Sequence, residues 1–132
     1  MSAMSITKRI ATIVGVFFLL AGLLGFAAPG VMGMHLTPLH NLIHILSGAL
    51  ALYFGLKGGD RAARMFCTIF GVVYASLGVI GFVAGRTGGV IELIPGHLML
   101  GVADHIVHLI AGALFIFAGL YRRSFVAGPP VP

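Results

Sequence analysis

Four long apolar stretches dominate this sequence and decide the solvent in which it can fold. They cover residues 10–28, 39–56, 65–84 and 98–120. Each has about 18 to 23 residues, the length that an α-helix needs to cross a hydrocarbon layer about 30 Å thick. Because lipid offers the backbone no hydrogen-bonding partners, these segments should be α-helices. We therefore predict an all-α, polytopic membrane protein that folds as a four-helix bundle.

The composition excludes an ordinary soluble domain. Charged residues make up 8% of the 132 residues and hydrophobic residues 59%, whereas a soluble domain carries about 25% charged residues. The length fits a single membrane domain covering residues 1–132. The sequence contains no nucleophile paired with a base, no phosphate-binding loop and no paired carboxylates. We therefore predict a protein without catalytic activity of its own.

The basic residues predict the orientation in the membrane. Seven of the eight lie on one predicted side: Lys8, Arg9, Lys57, Arg61, Arg64, Arg122 and Arg123. Only Arg86 lies on the other side. Loops rich in lysine and arginine stay in the cytoplasm, so we expect both termini to be cytoplasmic. The same rule accounts for the net charge of +5, so we predict no nucleic-acid partner.

The chain contains an internal duplication. Two pairs of segments align: GVFFLLAGLLGF (15–26) with GVVYASLGVIGF (71–82), and HILSGALALYFGL (44–56) with HLIAGALFIFAGL (108–120). The offset is 56 residues in the first pair and 64 in the second, so the second outer loop is eight residues longer. We predict two tandem helical hairpins, at about 8–57 and 64–121, related by a pseudo-twofold axis along the membrane normal. The repeated glycines should let helices pack closely.

Polar side chains gather where the second and fourth apolar stretches begin. They are His40, Asn41, His44, Asp104, His105 and His108. The repeat aligns His44 with His108, Asn41 with His105, and His40 with Asp104. Spacings of three and four residues place the members of each set on one helix face. The sequence therefore predicts a polar cluster at the outer end of the bundle, close to the axis.

Two interpretations of the polar cluster need only its own side chains or a small ion. In the first, the side chains hydrogen-bond to one another across the axis, with His40 paired to Asp104. In the second, they bind a zinc or copper ion, since imidazole suits both metals. The metal ligands would be His40, His44, His105 and His108, with Asp104 as a further ligand or as the hydrogen-bond partner of one.

A third interpretation is a macrocycle, either haem or a chlorophyll-type pigment. His44 and His108 would be its axial ligands. Gly48 and Gly112 follow them by four residues, and a missing side chain there would leave room for a ring. The same glycines could instead bring the second and fourth helices into contact. His35 and His97 lie in the outer loops, where we expect them to be solvated.

The motif His-Asn-x-x-His, here His40, Asn41 and His44 followed by Gly48, resembles one found in small bacterial four-helix membrane proteins. Those proteins are grouped as a domain family of unknown function. They also carry Asp-x-x-x-His at the head of the fourth helix, as Asp104 and His108 do here. The resemblance extends from about residue 8 to residue 123. It implies the four-helix fold and a bacterial inner membrane, and it implies no activity.

Two functions fit the sequence. We expect an accessory, structural subunit of a larger respiratory or photosynthetic membrane complex, because small apolar chains with short loops suit the edge of such assemblies. Its partners would then be the lipid bilayer and other membrane subunits. The alternative is a stand-alone membrane protein that binds haem, a pigment, copper or zinc.

Overall fold

The computed structural model describes residues 3–85 and 89–122. It contains four α-helices, which are α1 (Ile6–Ala27), α2 (Pro38–Leu56), α3 (Asp60–Ala84) and α4 (Val102–Leu120). All four are long and apolar enough to cross a membrane. The predicted four-helix membrane fold is therefore confirmed. Arg86 and Arg123, two of the basic residues used to predict orientation, lie outside the described residues.

The helix starts follow from local capping. The Ser5 hydroxyl accepts a hydrogen bond from the backbone nitrogen of Lys8 at the start of α1. Thr37 caps α2 in the same way, with Pro38 in the first helical turn, where a missing N–H has no cost. α1 and α3 begin four and five residues earlier than predicted, because their first turns contain polar residues that the apolar stretches left out.

The second outer loop contains a small β-hairpin that the sequence analysis missed. Strand β1 (Ile91–Ile94) pairs antiparallel with strand β2 (Leu98–Leu100). The turn between them contains Pro95 and Gly96, and Gly96 has a φ of +72°, a combination typical of a type II turn. The prediction that the fourth helix begins at residue 98 was therefore wrong, since residues 98–100 are a strand and α4 begins at Val102.

The helices pack as two hairpins, α1 with α2 and α3 with α4. A Cβ atom added to Gly15 would lie 3.0 Å from the carbonyl oxygen of Gly48, and one added to Gly71 would lie 3.0 Å from that of Gly112. These two contacts are repeat counterparts. The predicted tandem hairpins and the predicted packing role of the glycines are both visible in this correspondence.

The two hairpins meet in an aromatic core. Phe18 of α1 and Phe115 of α4 are fully buried, and their ring centroids lie 6.3 Å apart. Phe18 also stacks on Tyr74 of α3, with centroids 4.8 Å apart. Large apolar side chains such as Ile13 and Leu20 are exposed on the outside of the bundle, as expected for a surface that faces lipid. The core lies directly beneath the polar cluster, since Phe18 also contacts a histidine of α2.

Candidate functional site

Three of the predicted residues come together inside the bundle: His40, His44 and His108. We call them the histidine site. The ring centroids of His40 and His44 are 4.3 Å apart, and that of His108 lies 5.8 Å and 6.1 Å from them. Each residue is only 2% exposed. One nitrogen from each ring can be chosen so that all three lie within 4.8 Å of one another.

Most ring nitrogens of the histidine site are buried without a partner. Within the described part of the chain, these are Nε2 of His40, both nitrogens of His44 and Nδ1 of His108. Leaving a buried polar group unsatisfied costs about 1–3 kcal/mol. Four such nitrogens in one place are therefore a costly arrangement for packing alone, and they are chemically suited to donate lone pairs to a common centre.

His40 is the exception, because one of its nitrogens has a defined partner. Its Nδ1 lies 2.8 Å from the backbone carbonyl oxygen of His35. A carbonyl only accepts, so Nδ1 carries the hydrogen and Nε2 has a free lone pair. We expected His35 to be a solvated loop residue, and its side chain is 37% exposed. Its backbone nevertheless orients a residue of the histidine site.

Asp104 does not join the histidine site. It is 1% exposed, and its Oδ2 accepts hydrogen bonds from the backbone nitrogens of Gly101 (2.8 Å) and His35 (3.0 Å). The same oxygen lies 3.5 Å from Nδ1 of His35. The predicted pairing of Asp104 with His40 was therefore wrong, and the structure does not bring Asp104, a predicted metal ligand, to the three histidines. The reason is its position in the first turn of α4, where a carboxylate can reach back to free N–H groups.

His105 faces α3 and not the histidine site. A Cβ atom at Gly81 would collide with its ring, and its Nε2 donates to the carbonyl oxygen of Gly89 over 2.7 Å. Its repeat counterpart Asn41 fills the equivalent space against Gly25 of α1. The structure therefore does not bring His105, a predicted metal ligand, to the histidine site, because this ring occupies a space between α3 and α4 that Gly81 creates.

Gly48 and Gly112 do not leave room for a macrocycle. A Cβ atom at Gly48 would lie 2.7 Å from the carbonyl oxygen of Gly15 and from the backbone nitrogen of Leu19. A Cβ atom at Gly112 would collide with the backbone of Ala75 in α3. Each glycine brings two helices of one hairpin together. Their predicted role in binding a ring, and the alternative that they join α2 to α4, were both wrong.

A narrow cleft between α2 and α3 reaches the histidine site. Its volume is about 190 Å³, below the roughly 300 Å³ at which ligand pockets usually begin. Tyr74 and Ser47 lie on its wall, and the Tyr74 hydroxyl donates to the Ser47 hydroxyl oxygen over 2.7 Å. Ser47 follows His44 by three residues on the same helix face, a spacing that could have identified it. This cleft is too small for a haem or a pigment.

Comparison with known proteins supports the resemblance found in the sequence. A family model described as a domain of unknown function, DUF4383, matches residues 8–121. This range includes all three residues of the histidine site. No curated protein and no solved structure matches the chain. The chain therefore belongs to the DUF4383 family, whose function is unknown.

Proposed function

We propose that this protein binds one zinc or copper ion at the histidine site within the membrane. The observation that carries the proposal is the convergence of His40, His44 and His108. They are buried, and one nitrogen of each lies within 4.8 Å of the others. Imidazole nitrogen is a preferred ligand of both metals. Three histidines are also the complete set of protein ligands in one well-known class of zinc site.

The spacing of the nitrogens fits a metal after small side-chain rotations. Ligand nitrogens around a tetrahedral zinc ion lie about 3.4 Å apart, given zinc–nitrogen distances of about 2.0–2.1 Å. The three nitrogens of the histidine site, within 4.8 Å of one another, need to approach by at most about 1.4 Å to reach that spacing. His40 and His44 are on one helix at a spacing of four residues, so only His108 has to be brought in by packing between hairpins.

The orientation of His40 also supports a metal. Histidines that bind metals usually donate the hydrogen of their second nitrogen to a carbonyl or carboxylate, which fixes the ring and makes the ligand nitrogen more basic. His40 makes this bond to the carbonyl oxygen of His35. Asp104 in turn holds the backbone of His35. Loop one, the outer loop between α1 and α2, and the start of α4 thus hold the ring of His40 in the orientation that such a ligand needs.

A direct test is a metal titration of the protein purified in mild detergent and stripped with a chelator. We expect one zinc ion per chain, measured by competition with a chromophoric chelator. Substitutions His44→Ala and His108→Ala should each weaken zinc binding by at least about 100-fold, since removing a ligand should exceed the roughly 10–100-fold effect of removing a ligand's support. His97→Ala is the matched control and should leave the affinity unchanged, because His97 is exposed in loop two, the outer loop between α3 and α4. Equal affinity in all three variants would refute the proposal.

We also propose that the protein is an accessory subunit of a larger membrane complex. The supporting observation is an apolar groove between α1 and α4 with a volume of about 260 Å³. Ile13, Phe17, Ile110 and Leu114 line it and present no polar atom to a neighbour. A helix of another subunit could insert its side chains there. The test is a photo-crosslinking residue at position 17 in native membranes. A defined adduct with one protein supports the role, and crosslinks to lipid alone refute it.

We infer that the basic end of the bundle faces the cytoplasm of a bacterial cell. The termini of the described chain and the α2–α3 connection lie at this end, together with most of the basic residues. The rule that basic loops stay inside supports this placement. The histidine site then lies near the opposite, outer face of the inner membrane.

A further inference from the structure

The cleft between α2 and α3 connects the histidine site with the outside of the bundle. Val73 and Leu93 lie at its rim, and they are 50% and 44% exposed. His44 and His108 line its inner end and are buried. The wall between them is almost entirely apolar, and the hydroxyls of Tyr74 and Ser47 are the exception. A small molecule could therefore travel from the membrane side to the histidines.

The internal repeat shows that this cleft is more than a gap left by packing. The repeat counterpart of the cleft is the groove between α4 and α1, and no histidine lines that groove. At the positions equivalent to Tyr74 and Ser47, the other half of the chain has Phe18 and Ala111. The two halves of the chain have similar backbones, but only the cleft between α2 and α3 has a hydroxyl pair and an opening to the histidine site.

The hairpin of loop two covers this same cleft. Leu93 of β1 and Leu98 and Leu100 of β2 all line it. Loop two is the loop that is eight residues longer than its counterpart. The insertion that breaks the repeat thus lies over the side of the bundle where the hydroxyl pair and the opening occur. The hydroxyl pair, the opening and the longer loop are three separate departures from the repeat, and all three lie at the cleft between α2 and α3.

The ligand set leaves room for an additional metal ligand. In the part of the chain that the structure describes, the group that can hold a metal contains three histidines and no other residue. Zinc binds four ligands, and sites with only three from the protein keep the fourth position for water or a substrate. Such open sites are the reactive ones, whereas sites that serve only the fold are closed. The cleft lies where a fourth ligand would have to enter to reach a metal at the histidine site.

We infer that the cleft admits a small molecule with a lone pair, which binds the metal as an exchangeable fourth ligand. This inference rests on the proposed metal site. The Ser47 hydroxyl, which accepts a hydrogen bond from Tyr74, donates its own hydrogen to this ligand. The volume of this cleft, about 190 Å³, is below the roughly 300 Å³ at which pockets for drug-sized ligands usually begin. The ligand is therefore a molecule of a few non-hydrogen atoms.

Azide is a suitable probe of this position. The Cu²⁺-loaded protein in mild detergent is titrated with azide, whose terminal nitrogen donates a lone pair to copper while a water leaves. We expect a saturable azide-to-copper charge-transfer absorption and a change in the electron paramagnetic resonance spectrum. Substitutions Tyr74→Phe and Ser47→Ala, which install the residue types of the other half, should weaken azide binding roughly 2- to 10-fold, the value of one hydrogen bond. They should leave copper affinity unchanged.

A blocked cleft separates access from coordination. Val73→Trp places a large ring at the exposed rim and should slow azide binding at least tenfold. The matched control is Phe17→Trp at the repeat counterpart of Val73, in the groove between α4 and α1, and it should bind azide at the wild-type rate. Leu93→Trp, on strand β1, should block the same cleft. This variant is used in place of Val73→Trp if circular dichroism shows that Val73→Trp is misfolded.

The outcomes distinguish the two proposals. A copper signal that requires His44 and His108, together with azide binding that Val73→Trp slows, supports both. The inference is overturned, and the metal site stands, if copper binds but azide does not change its spectrum. The same conclusion follows if azide binds to Val73→Trp and Phe17→Trp at equal rates. A protein that binds neither zinc nor copper at the histidine site refutes the proposed function, and the inference fails with it.

Discussion

Replacement of Asp104 tests the contact that holds loop one against the start of α4. Its Oδ2 accepts two backbone hydrogen bonds, from Gly101 at 2.8 Å and from His35 at 3.0 Å. The carboxylate is 1% exposed, so water cannot replace these bonds after substitution. The bond to His35 also joins the two halves of the chain, since His35 lies in the first outer loop and Asp104 in the second half.

The expected magnitude follows from these two bonds. Hydrogen bonds to a charged group contribute about 1.5–3 kcal/mol each, so Asp104→Ala should lower the free energy of unfolding by about 3–6 kcal/mol. Asp104→Asn keeps one carbonyl oxygen and loses the charge, and neutral bonds contribute about 1 kcal/mol less each, so it should lose about 2 kcal/mol. The control is Asp60→Asn. The Asp60 carboxylate accepts a hydrogen bond from the Ser5 hydroxyl at an exposed position, so this substitution should lower the free energy of unfolding by at most about 1 kcal/mol.

The assay is unfolding in mixed micelles with increasing sodium dodecyl sulfate, followed by helical circular dichroism. Zinc affinity is measured on the same samples. Because Asp104 positions the loop whose carbonyl orients His40, Asp104→Asn should weaken zinc binding about 10- to 100-fold, as expected for a group that supports a ligand. His44→Ala should weaken it more.

Two results would refute this reasoning. If Asp104→Ala unfolds at the same detergent fraction as Asp60→Asn, the two backbone bonds do not stabilise the fold as described. If Asp104→Asn abolishes zinc binding as completely as His44→Ala, Asp104 is a metal ligand, and the ligand set is the one that the sequence first suggested.

Four further predictions concern packing, accessibility, orientation and cofactor choice. Gly48→Ala should cost about 1–3 kcal/mol in the same unfolding assay, because its Cβ atom would meet the backbone of α1, whereas Gly30→Ala, with nothing within 4 Å, should cost nothing measurable. Cys67 is fully buried, so maleimide should modify it only after unfolding, as mass spectrometry can show. In spheroplasts, an impermeant maleimide should label Gly30→Cys and leave Gly59→Cys unmodified, and the reverse pattern would contradict the proposed orientation. Added haem should give no shifted Soret band with the purified protein, since the cleft holds only 190 Å³.

The membrane helices were predictable because the bilayer imposes a strong and simple requirement. A segment of about 20 apolar residues has few alternatives to a spanning helix. Helix ends were less predictable, since the apolar run marks the hydrocarbon layer and not the end of the backbone hydrogen bonding. α3 continues through Asp60 and Arg61 at the basic end, and α1 through Thr7 and Lys8.

The β-hairpin was missed for a related reason. Leu98, Met99 and Leu100 are apolar and precede an apolar helix, so hydropathy predicts them to be its first turn. The signal that separates them is the Pro95-Gly96 pair, which favours a tight turn. Hydropathy alone does not distinguish an apolar strand from an apolar helical turn.

The histidine site was only partly predictable. Spacing placed Asp104, His105 and His108 within one arc of α4, but an arc of about 100° faces more than one neighbour. Which residue points to the axis depends on the rotation of α4, and this is fixed by its contact with the glycines of α3. The pairing of Gly81 with His105, matched by Gly25 with Asn41 in the first half, shows that the repeated glycines mark where a polar side chain is accommodated between helices.

The internal repeat also explains how the bundle can gather an odd number of histidines. Two identical hairpins related by a true twofold axis would supply every residue twice, so any cluster on that axis would contain two or four imidazoles. Joining the hairpins in one chain removes this constraint, because each copy can then change alone. Asp104 occupies the place of a fourth histidine and has turned to tie loop one to α4 instead. Fusion of the two halves thus makes an asymmetric centre possible inside a nearly symmetric frame.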